Sequence, residues 1–128
     1  MPTYDATLFD PPAPLAQVIL RNPQNADQLA SVPMLLDSGA DVTLIPAESA
    51  NQLAITAESG AQYELMGFDG SLTVATAVQL EMVFFSKIFR GRFLLIDQAW
   101  GIIGRDILNL LSLSLDGPKQ IWAELPSG

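Results

Sequence analysis

Thirteen residues near the middle of the chain constrain its fold more than any others. From Leu72 to Phe84, the even positions carry Leu72, Val74, Val78, Leu80, Met82 and Phe84, with Thr76 as the one polar residue in that row. Thr73, Gln79 and Glu81 fall on odd positions. A period of two sustained over this length predicts a long β-strand with one face buried. Tyr63-Glu64-Leu65-Met66 precedes it, and Gly67-Phe68-Asp69-Gly70 lies between. Strand, glycine-rich turn and strand predict a β-hairpin.

The other segments are also short and mostly of strand type. Asp10-Pro11-Pro12-Ala13-Pro14 excludes helix and inner strand. Leu15 to Leu20 and Val32 to Leu36 are apolar runs on either side of a polar stretch, Arg21 to Ala30, that holds Asn22-Pro23. They predict a hairpin delivering Asp37 at a strand end. Val42 to Ile45 predicts a short strand, and Pro46 suits the start of a short helix, Ala47 to Leu53. Further on, the sequence predicts strands over Phe89–Ile96, Ile102–Ile103, Ser112–Leu115 and Gln120–Leu125. A second short helix is predicted over Asp106–Leu111, and a turn at Asp116-Gly117-Pro118. The expectation is a mainly all-β domain with one or two short helices.

A chain of 128 residues fits one domain. We place it at residues 15–125, with a lead-in at 1–14 and a tail at 126–128. Hydrophobic residues make up 49% and charged residues 16%, which suits a packed globule. That is apolar for so small a domain, and part of the surface is expected to be covered by another subunit.

The chain contains no cysteine and no histidine. Zinc sites of the usual kind and Ser-His or Cys-His catalysis are thereby excluded, and acid–base chemistry falls to carboxylates, Lys or Tyr. Six basic residues against 14 acidic ones give a net charge of -8, so neither nucleic acid nor an anionic membrane is an expected partner. Met1 to Asp5 lacks the features of a signal peptide, and the apolar stretch from Val83 to Ile96 is broken by Lys87, Arg90 and Arg92. A soluble, cytoplasmic location is the expectation.

The sharpest chemical feature is Leu35-Leu36-Asp37-Ser38-Gly39-Ala40. A carboxylate directly after an apolar strand is costly without partners. The triplet alone fits an ordinary β-turn more readily than a catalytic loop. However, the segment resembles the active-site signature of retropepsin-like aspartic proteases: two apolar residues, Asp, Ser or Thr, Gly and Ala. Downstream, Ile102-Ile103-Gly104-Arg105-Asp106-Ile107-Leu108 is similar to that family's second element, an apolar pair and Gly followed by Arg-Asp/Asn and a helix. The hairpin at 67–70 stands between them, where the family has its flap. The resemblance covers roughly Leu15 to Leu115.

The resemblance implies a retropepsin-like closed barrel, functional as a homodimer, that hydrolyses polypeptides as an aspartic endopeptidase. It implies that Asp37 is the catalytic aspartate, that Ser38 bonds across the twofold axis, and that Gly39 binds the substrate backbone. Ala40, Asp41 and Ile103 would line the substrate site, with Gly67, Phe68, Asp69 and Gly70 as the flap. Asp41 and Arg105 would form an ion pair within the subunit. No metal or organic cofactor is implied. The chain departs from retroviral members in having Ser38 for Thr, a charge at Asp69 on the flap tip, and residues running past Leu115 through Trp122 and Glu124. Only one Asp-Ser/Thr-Gly triplet is present, so a second carboxylate has to come from a second copy. Two other readings fit the sequence: an inactive dimerisation or peptide-binding module of the same fold, and a plain β-barrel with a coincidental triplet.

Overall fold

The computed structural model describes residues 2–56, 62–66, 70 and 72–126. Ten strands and two short helices follow one another along these residues. β1 (Tyr4–Asp5), β2 (Ala13–Arg21), β3 (Gln28–Leu36) and β4 (Leu44–Pro46) lead into α1 (Ala47–Gln52). Next come β5 (Gln62–Met66), β6 (Leu72–Phe84), β7 (Lys87–Ile96) and β8 (Gly101–Ile103). After α2 (Arg105–Leu108), β9 (Leu113–Asp116) and β10 (Ile121–Glu124) close the chain as a two-stranded sheet.

Six of these strands form a closed barrel in the order β2-β3-β8-β4-β7-β6, sealed by antiparallel pairing of β6 with β2. β1 extends β2 and β5 extends β6 beyond the closed ring. A register shift between Val18 and Leu20, with Ser31 at a φ of 59°, marks a bulge in the β2–β3 pair. A bulge raises local twist. Here it turns β2 so that Ile19–Arg21 also pair with Glu81–Val83 on the other edge.

The period of two in the sequence becomes the inside of the barrel. Val18, Leu20, Met34, Val78, Leu80, Met82 and Phe84 are all buried, joined by Ile45, Ile103 and Trp122. Each fully buried Leu, Ile, Val, Met or Phe contributes about 1.5–3 kcal/mol of transfer free energy. The Trp122 indole stacks on Phe84 at 5.9 Å and donates its Nε1–H to the Leu15 carbonyl at 3.2 Å, which fastens the terminal hairpin to the barrel.

The proline-rich segment differs from its expected form. β2 begins at Ala13, and Pro14 lies opposite Tyr4 of the two-residue β1. Pro14 is tolerated because this stretch sits at the start of the strand, where a missing N–H breaks no long ladder. The second helix is one turn, Arg105–Leu108, and the chain continues through tight turns in which Leu110 and Leu111 donate to the carbonyls of Ile107 and Leu108.

Candidate active site

β3 and β8 run parallel, with Leu35 opposite Ile102 and Leu36 opposite Ile103. Strand alternation sends Met34 and Ile103 into the core and leaves Leu35 and Ile102 half-buried on the outer face, the face that leads to Asp37. The first residue beyond β3 is Asp37, whose N–H donates to the Ile103 carbonyl at 3.0 Å. Its Oδ1 accepts the Gly39 N–H at 2.9 Å and its own carbonyl accepts the Ala40 N–H at 3.1 Å. A short acid that bonds its own backbone two residues on makes a tight, fixed turn. The carboxylate is therefore pinned through one oxygen at the barrel surface.

A second segment braces this turn. Arg105 donates from one guanidinium nitrogen to the Ser38 carbonyl at 2.6 Å and from the other to the Asp41 carboxylate. Its backbone N–H donates to the Ala40 carbonyl at 2.9 Å. The fork geometry of Arg suits such a split contact. In addition, the buried Thr43 hydroxyl donates to Asp106 Oδ1 at 2.7 Å and accepts the Gly104 N–H at 3.1 Å, while the Thr43 N–H donates to Asp106 Oδ2 at 3.1 Å. Gly104 allows the two segments to close: a Cβ there would lie 2.5 Å from the Val42 carbonyl oxygen.

The structure thus brings Asp37, Ser38, Gly39, Ala40, Asp41 and Arg105 together. Ser38 and Gly39 are exposed, and Ala40 is half-buried. Ile103, expected to line a substrate pocket, is instead 0% exposed within the barrel core. The reason is strand parity: Ile103 shares its face with the core, and its neighbour Ile102 faces outward. Gly67, Phe68 and Asp69 lie outside the described residues. Gly70 is exposed with a φ of 83°, and β5 and β6 flank it as an antiparallel pair in which Met66 lies opposite Leu72.

Sequence reasoning named Asp106 only as part of the second element and Thr43 only as part of a predicted strand, and did not foresee the bond by which they join the two halves of the site. Nothing in their spacing marks them, because 63 residues separate them. It also gave the pocket-lining role to Ile103 and not to Ile102, although the outward place of Ile102 beside an inward Ile103 follows from a period of two. Trp100, just before β8, packs edge-to-face on Phe9 at 5.2 Å. Among the described residues, no group of three or more His, Cys, Asp or Glu is placed to hold a metal ion. No described helix is long and apolar enough to cross a membrane.

The comparisons with known proteins agree with this geometry. A family model for aspartyl proteases matches residues 25–107, a span that contains Asp37, the β5–β6 hairpin and Arg105. Similar solved structures include the EIAV protease complexed with the inhibitor HBY-793, at 23% identity and a TM-score of 0.55, covering 76% of this chain and 86% of that one. Another is a retropepsin-like aspartic protease from Rickettsia conorii, at 17% identity and a TM-score of 0.51, covering 98% of this chain and 100% of that one. No curated protein matches the sequence. At these identities the structural likeness establishes the fold, a retropepsin-like barrel.

Proposed function

Because this chain belongs to the aspartyl protease family, we propose that it is an aspartic endopeptidase whose active site forms between two copies, each contributing Asp37. The observation that carries this reading is the Asp37 turn itself. A partly exposed carboxylate accepts the Gly39 N–H, the Asp37 backbone N–H is held by the Ile103 carbonyl, and the adjoining loop is clamped by Arg105.

Peptide hydrolysis at such a site needs two carboxylates that share one proton. When two carboxylates lie about 3 Å apart they do not both ionise, as is general for aspartic proteases. The ionised Asp37 takes a proton from water as its oxygen attacks the scissile carbonyl carbon. The protonated Asp37 of the other copy gives its proton to the carbonyl oxygen. The tetrahedral intermediate then collapses, the C–N bond breaks and the leaving nitrogen takes a proton. The two groups titrate as one pair.

Ser38 sits next to Asp37 with its side chain at the surface, where it can bond to the second copy. The substrate lies extended over the outer face, paired through its backbone in β fashion. Ala40 and Ile102 offer apolar contact to its side chains, and the β5–β6 hairpin covers it as a flap.

The test is cleavage of a diverse peptide mixture between pH 4 and 7 by wild type and Asp37→Asn, each at a concentration shown to be dimeric. Wild type is expected to cut, and the variant to lose roughly 10²–10⁴-fold or more of the rate. Equal cleavage by both would sink the assignment of Asp37. Absence of cleavage by a confirmed dimer would favour a peptide-binding module of the same fold.

A further inference from the structure

β2 changes partner along one of its edges. β1 pairs with it at Ala13–Pro14, and β6 pairs with it at Ile19–Arg21. Between them, the Leu15 N–H donates to the Thr3 carbonyl at 3.5 Å and the Leu15 carbonyl accepts the Trp122 indole N–H. Backbone direction alternates along a strand, so Gln17 turns its N–H and carbonyl to this same edge. Neither β1 nor β6 pairs with it there. A cavity of about 300 Å³ opens at this fork.

Aromatic rings wall the cavity on two nearly perpendicular planes. Trp122 and Phe84 stack 23° apart and form its floor. Phe85 stands across both, at 70° to Trp122 and 87° to Phe84. The floor residues are buried, whereas Phe85 is 46% exposed. Tyr4 and Asp5 line the same space from β1. The bonds that Asp5 accepts from Thr7 and Leu8 all fall on Oδ1, which leaves Oδ2 for another donor.

Shape and charge narrow the occupant. The open stretch of β2, Leu15 to Val18, is closed by β1 at one end and β6 at the other. At about 3.3 Å per residue it spans only about 13 Å. An added strand would have to displace one of its neighbours, whereas a compact molecule would not. The chain carries a net charge of -8, and none of its six basic residues lines the cavity. Lys87, opposite Phe84 across the β6–β7 turn, is held by Glu124 at 3.5 Å. Aromatic rings attract an ammonium group, the more so where water is excluded.

We infer that this cavity is a binding site for a small organic cation, an alkyl or quaternary ammonium. The cation sits against Phe85 and Tyr4 over the Trp122 floor, with Asp5 as its counter-charge. The backbone groups of Gln17 serve a polar tail. The inference does not depend on the two-copy reading of Asp37.

Trp100 and Trp122 are the two tryptophans of the chain, and their indole N–H resonances give the readout, with Trp100→Phe to assign them. Choline is titrated into the isotope-labelled full chain at constant ionic strength, beside neohexyl alcohol, its uncharged carbon isostere. Choline is expected to shift the Trp122 signal saturably and to bind at least about tenfold tighter than the alcohol. Phe85→Leu and Asp5→Asn are each expected to weaken choline binding about tenfold, with an unchanged circular dichroism spectrum. A peptide carrying trimethyllysine is expected to bind no tighter than choline. Equal binding of choline and the alcohol would overturn the preference for a cation. The absence of a saturable shift, or unchanged affinity in both variants, would overturn the site. Much tighter binding of the peptide would overturn the small-molecule occupant.

Discussion

Two regions of this barrel handle their polar backbone in opposite ways. At the Asp37 turn, strand-end groups are satisfied within the chain: Asp37 bonds Ile103, Ala40 bonds Arg105, and Thr43 bonds Gly104 and Asp106. At the β9 edge, the outward groups find no partner among the described residues. The first region is assembled within a single copy; the second leaves its outer strand edge facing outward among the described residues. On the two-copy reading proposed above, the site is preformed loop by loop in each subunit and still lacks half of its chemistry.

The sharpest way to break the comparison uses two glycines. Gly104 lies where a Cβ would meet Val42 oxygen at 2.5 Å, whereas a Cβ on Gly117, in the β9–β10 turn, meets nothing within 4 Å. Gly104→Ala forces backbone apart and is expected to cost about 1–3 kcal/mol, a fall in Tm of roughly 4–12 °C. Gly117→Ala is expected to stay within about 0.5 kcal/mol of wild type. Thermal unfolding of the two variants checks the contrast, and equal shifts would mean that the Asp37 side is no more tightly packed than the terminal hairpin.

A smaller effect separates stability from positioning. Arg105 is 43% exposed at its side chain and Asp41 83%, so their ion pair is worth only about 0–1 kcal/mol. Its bond to the Ser38 carbonyl, however, fixes the residue next to Asp37. A displacement of about 1 Å at a reacting group costs on the order of 10²-fold in rate. Arg105→Ala is therefore expected to lower kcat/KM by roughly 10- to 100-fold with little change in Tm, and Arg105→Lys to restore only part of it because Lys lacks the fork. Matching losses of stability and activity would make Arg105 a structural residue alone.

Much of this was legible in the sequence, for reasons that differ by residue. The even row from Val78 to Phe84 is buried along one strand because a barrel wall preserves a period of two, whereas nearer the strand start the odd-row Ala75 and Ala77 are buried as well. The Asp37 segment and Arg105 were legible through resemblance, since the short turns that carry them need particular residues. Other features depend on tertiary contacts. The β6–β7 turn places Phe85 at a φ of 55°, where Asn or Gly is usual, and its ring rests on Phe84 at 4.9 Å and Trp122 at 5.4 Å. No turn signal marks Phe85-Ser86, because packing replaces the usual backbone preference. The short β1 was hidden for a similar reason: its partners are Pro14 and Gln120, one local and one near the far end of the chain.

The smallest predicted effect concerns the turn after β1, in the terminal region. Asp5 Oδ1 accepts the Leu8 N–H at 2.7 Å, and the Thr7 N–H and hydroxyl at 2.9 Å each. The bond from Leu8 holds the carboxyl below its ordinary value of 3.8, against an opposing effect of desolvation and with smaller help from the two Thr7 bonds. The folded chain therefore releases this proton more readily than the unfolded chain does. The resulting stabilisation is fully present above the unfolded value and is lost as pH falls below it and through the folded one. Asp5→Asn keeps an oxygen acceptor but cannot ionise. Denaturant unfolding at pH 6 is expected to find the variant slightly less stable than wild type, and the gap is expected to narrow when the comparison is repeated near pH 2.5. A gap that stays constant across this range would mean that the turn depends on the shape of the acceptor rather than its charge. The first strand would then be held beside β10 by its backbone bonds to Gln120 and Trp122 alone.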